Sequence, residues 1–68
     1  MMGAIIGLFV FVRGHVVQLQ TYEDQTVAQA MNQQAKELCY EDKVWLSHEH
    51  PERKSLTWCV KIGEREVK

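Results

Sequence analysis

Eight consecutive apolar or glycine residues, Ile5 to Val12 ("IIGLFVFV"), constrain this chain more than any other feature. A strand with one face in water alternates apolar and polar side chains, and this run does not. Phe, Val and Ile dominate it, which favours a strand over a helix of the same length. Gly3 to Val12 is ten residues, whereas a membrane-spanning helix needs about 20, so no membrane partner is expected. The run also lacks the marks of a secretory leader. No Lys or Arg precedes it, and Arg13-Gly14-His15 follows it in place of a small-residue cleavage site.

Size sets the second constraint. The chain has 68 residues, read as one domain, 1–68, and a domain near this length buries only about 60% of its unfolded surface. Such domains lean on disulfides, a metal or self-association. Two cysteines, Cys39 and Cys59, allow one bridge at most, far from the disulfide-dense pattern of small secreted domains. Both read as small buried hydrophobes, and the expected setting is reduced and cytoplasmic. A net charge of −1 with 46% hydrophobic residues argues against disorder and against a strongly basic nucleic-acid binder.

The punctuation organises the rest. Arg13-Gly14 separates the first strand from "HVVQLQ" (15–20), as a tight turn in preference to a glycine bulge in one bent strand. From about Asp24 to Tyr40 the period becomes helical: Val27, Ala28, Met31, Ala35, Leu38 and Cys39 fall within an arc of about 120°. Thr21 with Asp24, or Asp24 alone, is expected to cap this helix. "KVWLSH" (43–48) and "SLTWCVKI" (55–62) read as an antiparallel hairpin across the polar "EHPERK". Leu56, Trp58, Val60 and Ile62 would then join Val44 and Leu46 on the face the helix covers. The expected fold is α+β: a small β-β-α-β-β domain with an antiparallel sheet and one amphipathic helix on one face.

That architecture makes the opening run anomalous. Ala4, Ile6, Leu8, Val10 and Val12 point one way, while Ile5, Phe9 and Phe11 point the other. Only one side has a helix to cover it. Trp45 and Cys59 are expected on the uncovered side, so Ile5, Phe9, Phe11 and Trp45 form the candidate partner-binding surface. The partner is a second copy of the chain, a larger protein, or both.

Two other chemistries are present in outline. His48 and His50 in "SHEHPERKS" fall on one side of an extended segment and offer two ligands for zinc, with His15 or a cysteine as a third. No recognised zinc spacing accompanies them, and a cysteine nucleophile has no visible base and orienter. Arg53, Lys54 and Lys61, with Lys43 nearby, offer a small nucleic-acid surface, but Glu41, Asp42, Glu49 and Glu52 offset its potential. No cofactor cradle or acid–base constellation is visible. The reading is a non-enzymatic protein-interaction module without a cofactor, a homodimeric adaptor or inhibitor of the phage or mobile-element accessory type that modulates a larger protein. The alternatives are a nucleic-acid-binding domain using Arg53, Lys54 and Lys61, and a zinc-dependent enzyme or zinc-stabilised domain at His48 and His50.

Overall fold

The computed structural model describes residues 1–68. Strand β1 (Met2–Val12) turns into β2 (His15–Glu23); two helices follow, α1 (Val27–Met31) and α2 (Gln34–Glu49), then a 3-10 helix (Pro51–Leu56) and strand β3 (Thr57–Glu66). The sheet has the order β2-β1-β3, antiparallel throughout. The fold is therefore α+β, with the helices on one side of an antiparallel sheet. The central position of β1 pairs its backbone on both edges, and the helices cover the face that carries Ala4, Ile6, Leu8 and Val10.

Arg13 and Gly14 make the tight turn. Both have positive φ, 53° and 81°, as a two-residue type I′ hairpin requires, and Gly14 takes the left-handed conformation at no steric cost. The register of β1 with β2 skips Leu19, and that of β1 with β3 skips Ile62, so each outer strand carries one bulge residue.

Helix α2 departs from the expected layout. The segment 43–48 is not a strand; it continues α2 to Glu49, and the element order is β-β-α-α-β with an intervening 3-10 helix. The β-branched and aromatic character of Val44 and Trp45 is overridden by a helical stripe, buried at Ala35 and Cys39 and continuing to the half-buried Leu46. No Gly or Pro interrupts residues 34 to 50, and Pro51 ends the helix. The expected single helix over 24–40 is also broken, at Gln33, whose φ is 51°. This break turns Met31 out of the stripe, leaving it exposed.

Capping follows the break. Thr26 accepts the Gln29 N–H at 3.1 Å and so caps α1. Gln33 offers α2 no side-chain cap. Asp24 supplies it from outside the helix: its Oδ1 accepts the Ala35 N–H at 2.8 Å while its backbone N–H donates to the Ala4 carbonyl at 3.0 Å. Asp24 thereby ties β1, through its backbone, to the start of α2, through its carboxylate, where the helix dipole favours negative charge.

The core is Ile6 and Leu8 of β1 against Ala35 and Cys39 of α2, flanked by Ala4, Tyr22, Leu46 and Cys59. The Tyr22 hydroxyl donates to Asp42 on α2. Burial and that carboxylate push the phenol well above its ordinary range. Cys39 and Cys59 are not separate hydrophobes; they form a disulfide between α2 and β3, with Cα atoms 6.3 Å apart. This bond requires Cys59 to face the helix. Side chains alternate along a strand, so Trp58, Val60 and the bulge residue Ile62 lie on the opposite side, the reverse of the face expected for them. Leu56 falls in the 3-10 helix rather than the sheet.

Candidate partner-binding face

The molecule measures 40 × 21 × 13 Å, so its thin dimension holds one sheet and one helical layer. The far side of the sheet has no covering layer. Strand β1 places Ile5, Phe9 and Phe11 there, as the alternation of the sequence requires. In the β1–β3 register Phe9 stands beside Trp58 and Gly7 beside Val60; in the β1–β2 register Phe11 stands beside Val16. Residues directly opposite in an antiparallel pair share a face, which gathers these side chains with Ile62 into one apolar surface.

Its centre is ordered by packing. The rings of Phe9 and Trp58 stack with centroids 6.0 Å apart and planes 17° from parallel, a geometry aromatic pairs favour. Phe9 lies over Gly7: a Cβ built there would be 2.5 Å from the ring and 3.4 Å from Ile62. Glycine is needed at this position because any side chain would displace the ring. Around this centre Phe11, Val16, Val60 and Ile62 stay exposed. Near the end of β1 away from the hairpin turn, Arg65 reaches Glu23 at 3.1 Å, and this ion pair supplies a charged border.

Of the residues assigned to the surface by sequence, Ile5, Phe9 and Phe11 are brought together and Trp45 is not. Trp45 sits on α2, 61% exposed, on the helix side of the molecule. Its place in the surface is taken by Trp58. The error follows from reading 43–48 as a strand, and the signal that would have corrected it is the cysteine pair, since Cys39 on the helical stripe requires Cys59 to face it.

The other candidate residues do not assemble. His48 lies in the last turn of α2 and His50 is the residue that closes it, so they do not share one side of an extended segment. His50 instead approaches Glu52 at 3.4 Å. No three His, Cys, Asp or Glu groups are arranged to hold a metal ion. Arg53 and Lys54 lie exposed on the 3-10 helix, while Lys61 is four residues along β3 from Thr57, about 13 Å at strand rise. Lys61 is also paired with Glu64. No helix is long and apolar enough to cross a membrane.

No family model, curated protein or solved structure matches this chain.

Proposed function

We propose that this chain is a non-enzymatic protein-interaction module, an adaptor or inhibitor that acts by occupying an apolar surface of a larger protein and that also self-associates. The observation that carries the reading is the uncovered sheet face, where Phe9, Phe11, Trp58, Val60 and Ile62 lie side by side with no second layer. Burying a side chain of this size contributes about 1.5–3 kcal/mol, a large sum against the few kcal/mol that hold a small domain together. Contiguous apolar surface rimmed by charge is the usual form of a protein-binding site. The stacked Phe9–Trp58 pair is an aromatic anchor already ordered before a partner arrives, which lowers the entropic cost of binding.

The expectation of a reduced, cytoplasmic setting rested on the small number of cysteines, two, which allow one bridge at most. The Cys39–Cys59 cystine favours an oxidising setting for the working protein.

The test is native mass spectrometry of the untagged chain from its own cells, compared with Phe11→Asp and Trp58→Asp. The wild type should retain a partner that both variants lose, with the circular dichroism of all three unchanged. A wild type that is a bare monomer, or variants that keep the same partner, would overturn the reading.

A further inference from the structure

We infer that two copies of this chain join through the outer edge of β2, making one six-stranded sheet. The starting observation is the contrast between the two edges of the sheet. Both outer strands present unpaired backbone N–H and C=O groups along their free side, a template for another strand that natural proteins blunt with charge or proline. Strand β3 is blunted, by Lys61, Glu64, Arg65 and Glu66. Strand β2 has neither charge nor proline: residues 15–22, "HVVQLQTY", contain no Asp, Glu, Lys, Arg or Pro, and the one irregularity along it is the bulge at Leu19, which puts Val17 and Gln20 on the same face. Val17 and Leu19 are 43% and 47% exposed along it.

Symmetry selects a second copy as the occupant. In an antiparallel pair about a two-fold axis, residues near the axis meet their own counterparts, so any charge there faces its like. An edge that pairs with itself must therefore be neutral at its centre and oppositely charged at its two ends. Strand β2 has this pattern, with Arg13 just before it and Glu23 at its close. With the axis between Gln18 and Leu19, Val17 stands opposite Gln20 of the second copy, Val16 opposite Thr21 and His15 opposite Tyr22. Glu23, which already holds Arg65 within its own chain, then stands opposite Gly14 of the second copy, with Arg13 one residue further along and within diagonal reach.

The same arrangement closes the assembly at two. Pairing at β2 buries both neutral edges and leaves a charged β3 at each end of the sheet, where further growth is opposed. It also leaves the uncovered faces of the two copies side by side. The larger docking platform that results rests on the function proposed above; the edge pairing itself does not.

The experiment is sedimentation of the intact, disulfide-bonded chain over a concentration series, with Leu19→Lys and Leu19→Glu as variants. The wild type should dimerise. Each variant alone should raise the dimer dissociation constant by about a hundredfold, since like charges meet at the axis. An equimolar mixture of the two should restore a dimer, which a variant that merely failed to fold cannot do. A monomeric wild type, variants that dimerise as well as it does, or a mixture that stays monomeric would each overturn the edge pairing. If the Leu19 variants remain dimeric while Phe11→Asp dissociates them, the copies meet face to face; the edge fails and the proposed docking face stands.

Discussion

Asp24 is the residue on which the joint between sheet and helix turns. It is buried, and it serves as the missing cap of α2 by accepting the N–H of Ala35, eleven positions after it. Replacing it with Ala leaves that donor unsatisfied in a buried site, which costs about 1–3 kcal/mol. Asp24→Asn keeps one acceptor and should lose less. Chemical denaturation of the three proteins checks the order, with equal stabilities counting against the capping role. The sequence identifies Asp24 as a helix-capping residue but attaches it to the wrong helix. A carboxylate's capacity to cap is local, whereas the N–H it reaches depends on where the chain next turns. Gly7 was legible only as part of an apolar run, since its requirement comes from the Phe9 ring that crosses it.

Among the elements, the break between α1 and α2 stands out because it is held by a non-glycine residue, Gln33, in the left-handed region at φ 51°. A side chain there costs about 1 kcal/mol relative to glycine. Gln33→Gly should therefore raise the unfolding free energy by about 0.5–1 kcal/mol, after allowing for the greater freedom glycine gives the unfolded chain. Thermal unfolding measures it, and a lower midpoint for the variant would show that Gln33 makes a compensating contact. The same break explains why the helical wheel drawn over 24–40 misplaces Met31 and Leu38. A single wheel assumes one unbroken axis, and once the chain kinks, the buried stripe restarts at Ala35 and runs through Cys39 to Leu46.

For the whole molecule, the cystine links the helical layer to β3, an edge strand otherwise held to the sheet on one side only. It spans a sequence separation of 20 residues, for which loop closure in the unfolded chain corresponds to about 3 kcal/mol. Reduction, or replacement of both cysteines by Ala, should lower the unfolding free energy by about that much, and β3 should show the largest gain in amide exchange. Exchange confined to the hairpin β1–β2 would contradict this division of stability. What the sequence determined by itself is the part governed by neighbours along the chain: the β1–β2 hairpin with its Arg13-Gly14 turn, a helical period in the segment after about Asp24, and the two faces of β1, because alternation of side chains is a property of the strand backbone. The tertiary structure alone decided that 43–49 is helix, that Trp58 replaces Trp45 on the open face, and that β3 pairs with β1. Those outcomes depend on contacts between residues distant in sequence, above all Cys39 with Cys59, where local preferences for strand and helix are too evenly matched to choose.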